Sequence, residues 1–119
     1  MLYDCRTVAE RDWGLHAAIE SISRGDLVVL PTDTVYGIAA DAFKPWAVEA
    51  LLNAKGRGRH LPPPVLVGSR STLDGLVYRL PTEARELVEA FWPGALTIVV
   101  EHAPTLQWDL GDTYGTVAV

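Results

Sequence analysis

Apolar and polar positions recur along this chain in two registers, one helical and one extended. Leu15, Ala18, Ile19 and Ile22 fall at helical spacing, with Thr7 placed to cap a first turn and Gly25 at the stop position. The pattern predicts a helix from Thr7 to about Arg24. Leu27-Val28-Val29-Leu30 is a short apolar run of β-branched character and predicts a buried strand. Pro31 stops it, because proline has no N–H to give a neighbouring strand. Helical spacing returns at Pro45, where Trp46, Val48, Leu51 and Leu52 form one apolar face ending at Lys55. Gly56 and Gly58 end that helix, and Pro62-Pro63-Pro64 hold the chain extended into a strand at Val65–Val67. Ser71 is placed to cap a short helix, Thr72–Val77. Pro81-Thr82-Glu83 opens another, with Leu87, Val88 and Phe91 toward the core and acidic residues early, where the helix dipole favours them. Trp92-Pro93-Gly94 breaks it. Leu96–Glu101 reads as a strand, His102–Tyr114 as a loop or ragged hairpin, and Thr116–Val119 as a further strand. Helices alternating with short strands give an α/β or α+β fold around a mixed, twisted sheet.

Composition narrows the class without changing that pattern. The chain has 119 residues, enough for one domain with one core, and 49% of them are apolar against 21% charged. That balance is globular rather than disordered. No apolar run approaches the roughly 20 residues that span a bilayer, and no signal peptide is visible, so a cytoplasmic location with no membrane partner is expected. Cys5 is the single cysteine and has neither a disulfide partner nor spaced metal ligands. His16, His60 and His102 are too scattered for a metal set. The serines lie in no nucleophile elbow, and Gly56-x-Gly58 lacks both the dinucleotide fingerprint and the P-loop order. The four tryptophans read as core or rim aromatics rather than a base-stacking platform.

Two polar stretches carry the candidate chemistry. Directly after the first strand, Thr32, Asp33, Thr34 and Tyr36 place four polar side chains within five positions, closed by Gly37. Hydroxyls and a carboxylate at the carboxyl end of a strand stand where open α/β sheets put ligands. The alternative is a polar turn whose Thr and Asp side chains cap their own backbone. Asp33 reads first as such a cap and second as a metal holder beside phosphates. The other stretch is Lys55-Gly56-Arg57-Gly58-Arg59. It puts three of the ten basic residues into five positions of a chain whose net charge is −5. The overall charge argues against a broad nucleic-acid surface, while the cluster suits a local anion such as a phosphate.

In order and spacing, PTDTVYGIAADA and AKGRGR-x-x-P resemble the YrdC-like family, the threonylcarbamoyl-adenylate synthases. Phe91-Trp92-Pro93-Gly94-Ala95-Leu96-Thr97 is similar to a third family segment, and Gly115–Val119 to the start of a fourth. The likeness runs from about Arg24 to Val119 within one domain, 1–119. The resemblance implies a YrdC-like twisted sheet with flanking helices, truncated at its C-terminus, since the family continues into an arginine and a Ser-x-Asn motif. It implies a nucleotidyltransferase that condenses L-threonine, bicarbonate and ATP, with magnesium, into threonylcarbamoyl-adenylate and pyrophosphate. Partner proteins then use the product to modify tRNA. Carried over residue by residue, Lys55 and Arg57 are the phosphate-binding pair, with Arg59 as a helper or a surface charge. Thr34 contacts threonine and Thr32 and Tyr36 line that pocket. Thr116 lies at the nucleotide, and Thr97, in the matching third segment, is either a nucleotide contact or an ordinary strand threonine. No catalytic acid or base and no protein metal ligand set is implied. Leu61 and Leu66 stand where the family often has polar residues, which bears on the adenosine contact and on part of the threonine pocket. Two further readings stay open: a non-catalytic RNA-binding module, and an accessory domain like those inside hydrogenase-maturation proteins. A piece lacking strands of its sheet is also expected to be marginally stable.

Overall fold

A computed structural model describes all residues from Met1 to Val119. Helix α1 spans Val8–Arg24, with the Thr7 hydroxyl accepting from the Glu10 N–H and Gly25 closing the last turn. Strand β1 (Val28–Pro31) turns back into β2 (Tyr36–Ala39), a strand the apolar pattern did not mark. The two form an antiparallel hairpin in the register Val28↔Ala39 to Pro31↔Tyr36. Pro31 is thus the last paired residue of β1 rather than a stop before it. The expectation of a buried strand is corrected: Val29 is 67% exposed, because only the alternate side chains of β1 turn inward.

The core lies in the rest of the chain. Helix α2 (Pro45–Ala54) buries Ala47, Val48, Leu51 and Leu52, whereas Trp46 faces out. Three of the four expected positions are buried, and Ala47 takes the place of Trp46. Residues 65–67 run extended without forming a strand of their own; the Val65 N–H donates to the Ala118 carbonyl at 2.8 Å. Helix α3 spans Arg70–Leu76, with Ser69 rather than Ser71 at its cap, and buries Leu73 and Leu76. Helix α4 spans Thr82–Phe91 and buries only Val88, leaving Leu87 and Phe91 largely exposed against expectation. Strands β3 (Val99–Glu101) and β4 (Thr116–Ala118) pair antiparallel, Val100 opposite Val117. Reciprocal backbone bonds between Ile98 and Val119, at 2.9 and 3.0 Å, carry the ladder one pair further.

Helices flanking small antiparallel sheets give the α/β class expected. One cluster gathers Val48, Leu52, Leu73, Val77, Val88, Trp92, Ile98, Val100, Leu110, Val117 and Val119. The alternation Ile98, Val100, Val117, Val119 makes one face of the β3–β4 ladder its floor. Neither α1 nor the β1–β2 hairpin contributes to that cluster. No helix is long and apolar enough to cross a membrane.

Candidate functional site

The basic stretch is built by the end of α2. Lys55 is the C-cap, and its N–H bonds back to Leu51 and Leu52. Gly56 then takes a φ of 61°, a left-handed conformation that a side chain resists. The Gly56 N–H reaches the Asn53 carbonyl at 3.0 Å, and the Arg57 N–H reaches that of Leu52 at 2.9 Å. This pair of bonds is a Schellman turn. The Lys-Gly-Arg order therefore has a physical reading: the glycine makes the turn, and a cation stands on either side of it. Both cations lie at the helix end where the backbone dipole favours positive charge. Both are exposed, and neither forms an ion pair or a side-chain hydrogen bond with any other residue. They are free to meet an external anion.

Arg59 is not free in that way. Its guanidinium donates to both carboxylate oxygens of Asp109, at 2.8 and 3.0 Å, and its Nε lies 3.4 Å from Asp112. Asp109 first, and Asp112 more weakly, push the Arg59 pKa up. In this structure it joins two loops, the basic stretch and the Asp109–Asp112 segment.

The threonines of the β1–β2 turn divide similarly. The Thr32 hydroxyl donates to the Val35 carbonyl at 2.5 Å and accepts from the N–H groups of Thr34 and Val35 at 3.3 and 3.2 Å. It caps the turn, the task expected of Asp33, whose side chain makes no hydrogen bond or ion pair. Thr34 is exposed, and its hydroxyl meets only that of Thr32, at 3.4 Å. Tyr36 is 78% exposed, with no partner for its hydroxyl. Thr34 and Tyr36 thus present groups open to a ligand, and Thr32 holds them in place. Farther along, Asp41 accepts from the Lys44 ammonium at 2.9 Å and from the Phe43 N–H. Lys44 first, then that N–H, hold the Asp41 carboxyl below its usual range.

On the β3–β4 ladder, Thr116 stands opposite Glu101 on the face turned away from the core. An open depression of about 430 Å³ lies there, lined by Tyr78, Glu101, Pro104, Tyr114, Gly115 and Thr116. The Thr116 hydroxyl donates to the Thr113 carbonyl at 2.8 Å, so its oxygen remains available as an acceptor. Thr97 is exposed just before β3. Leu61 and Leu66 are both exposed, at 48% and 72%. No hydrogen bond or ion pair joins the hairpin hydroxyls, the basic turn and Thr116 to one another: three elements present the expected residues separately.

Residues 20–119 match the family Sua5_yciO_yrdC, described as telomere recombination. The chain belongs to this family. It is similar to a putative threonylcarbamoyl-AMP synthase of Mycobacterium tuberculosis, 61% identical over 97% of this chain and 53% of that protein. The counterpart in Mycobacterium leprae is 60% identical over 98% of this chain and 53% of its own length. Among solved structures, Pyrococcus abyssi Sua5 complexed with L-threonine superposes with a TM-score of 0.85 at 36% identity, covering 91% of this chain and 32% of that one. The chain spans about half the length of its mycobacterial relatives. In this Sua5/YrdC-family chain, Asp109 and Asp112 escaped the sequence reading. Their signal was the Trp108-Asp109-Leu110-Gly111-Asp112 run inside a stretch taken as a loop.

Proposed function

We propose that this chain carries the phosphate- and threonine-binding elements of an L-threonylcarbamoyladenylate synthase. The observation that carries the reading is the pair of unpaired cations, Lys55 and Arg57, displayed by the turn that ends α2. The threonine ligand named for the P. abyssi relative and the activity named for the mycobacterial ones support it. In the reaction, the threonine amine and bicarbonate form a carbamate with loss of water. A carbamate oxygen then attacks the α-phosphorus of ATP, and pyrophosphate leaves with its electron pair. Such a transfer asks for positive charge on the phosphates and for alignment more than for a strong base. Arg57 offers a two-pronged contact to phosphate oxygens and Lys55 a point charge. Thr34 and Tyr36 offer hydroxyls to the threonine, with Thr32 fixing their turn. Thr116 and Thr97 face the nucleotide from the ladder. No group of three or more His, Cys, Asp or Glu side chains comes together. Magnesium would be carried on the ATP phosphates, where it would neutralise charge beside Lys55 and Arg57. The adenylate passes in the cytoplasm to partner proteins that modify tRNA.

The test is pyrophosphate release from ATP with L-threonine, bicarbonate and magnesium. It is run on this chain and on one extended to the length of the mycobacterial relatives. Threonine-dependent release by the extended protein, lost on Lys55→Ala with Arg57→Ala, is expected. Release that ignores that double substitution overturns the assignment. The RNA-binding alternative has less to stand on, because one cation of the basic loop is already paired and the chain carries a net charge of −5.

A further inference from the structure

We infer that Arg59, Asp109 and Asp112 form a clasp that positions the Lys55–Arg57 turn, an inference that rests on that turn receiving phosphate. The turn hangs from α2 at one end only, through the backbone bonds of Gly56 and Arg57. Its other end is held at Arg59 by both side chain and main chain. The guanidinium fork grips both oxygens of Asp109, at 2.8 and 3.0 Å. The Asp112 N–H donates to the Arg59 carbonyl at 2.8 Å. Asp109 is itself fixed by accepting from the Gly111 N–H at 3.1 Å.

The receiving loop has a firm base. Leu110, between the two acids, is 3% exposed and belongs to the core cluster with Val117. Gly111 adopts a φ of 108°, and a Cβ there would stand 2.6 Å from the Arg59 carbonyl. The approach of the two loops is therefore close enough to demand glycine. A lone exposed ion pair does little, but a two-pronged contact reinforced by a second carboxylate and main-chain bonds fixes geometry. Residues 55–59 are thus pinned at both ends while Lys55 and Arg57 stay unpaired between them.

The clasp is read without nucleotide, by exchange of the bonded amides at positions 56, 57 and 112 and by trypsin cleavage after Lys55 and Arg57. Asp109→Asn with Asp112→Asn leaves every tryptic site in place. Both readouts are expected to rise roughly two- to fivefold there, as suits an exposed but two-pronged contact, with exchange in α3 and α4 unchanged. Arg59→Lys keeps the charge without the fork and is expected to fall between wild type and Arg59→Gln in exchange. Unchanged local exchange, or a rise spread evenly over all helices, overturns the clasp. ATP titration of the extended protein then separates the two ideas. Wild type that fails to bind ATP sinks the phosphate reading while the exchange result still judges the clasp. Wild type that binds, with an apparent Kd raised roughly two- to fivefold in the double variant, supports both.

Discussion

Helix α1 has 17 residues and buries none of them, whereas α2 has 10 and buries four. Both show an apolar face in the sequence, and both have sound ends. The difference lies in what each face meets. The α2 face packs into the cluster over the β3–β4 ladder, while α1 lies outside that cluster and leaves Leu15 and Ile19 at 54% and 61% exposure. Amphipathic spacing specifies a helix and its inward side; burial needs a partner, which spacing cannot supply. The candidate site is divided along the same line. The threonine turn belongs to the uncovered layer, and the basic turn hangs on the buried one.

That contrast is broken most directly at Leu73, the most enclosed large side chain at 1% exposure. Leu73→Ala is expected to cost about 2–5 kcal/mol, and Ile19→Ala under about 0.5, in denaturant unfolding. Equal losses would mean that α1 is packed after all. Next in size is the loss of the two free cations. In the extended protein, Lys55→Ala with Arg57→Ala should lower pyrophosphate release by roughly 10²–10³, about the loss when preorganised charge stabilisation is removed. The melting temperature should hardly move, because neither side chain has a protein partner.

Gly56→Ala sharpens the comparison from the backbone side. No atom lies within 4 Å of where its Cβ would go, so any cost is conformational. A left-handed alanine should destabilise the end of α2 by about 1 kcal/mol, seen as faster exchange at Arg57 and Lys55 with the core unaffected. A silent substitution would show that the turn is not held left-handed in solution.

Much of this was legible in the sequence where the cause is local. Thr7 and Gly25 mark both ends of α1, Pro45 begins α2, and Lys-Gly-Arg marks its left-handed end, because caps and φ preferences act within a few residues. What escaped depends on distant partners. Tyr36–Ala39 carries a glycine and too short an apolar run to read as a strand until β1 pairs with it. Thr32 and Asp33 look interchangeable as caps, and only the hairpin geometry gives the task to Thr32. Arg59 looks like its neighbours Lys55 and Arg57, and it is distinguished only by carboxylates fifty positions away.

The smallest effect separates the two ends of α2 by titration. Asp109 sits with its carboxyl held low by Arg59 first and by the Gly111 N–H second. Asp41, at the start of α2, is held low by Lys44. A carboxylate whose folded pKa is depressed adds stability that is fully present above its unfolded value and is lost as pH falls through the folded one. Both contacts should therefore stay intact at neutral pH and open only below about 3.8. Carboxyl NMR titration is expected to give both midpoints under that value. In Arg59→Gln the Asp109 midpoint should return toward 3.8 while that of Asp41 stays put. If both moved together, the loss of Arg59 would be felt at the start of α2 as well, and its contact with Asp109 would not be a local one.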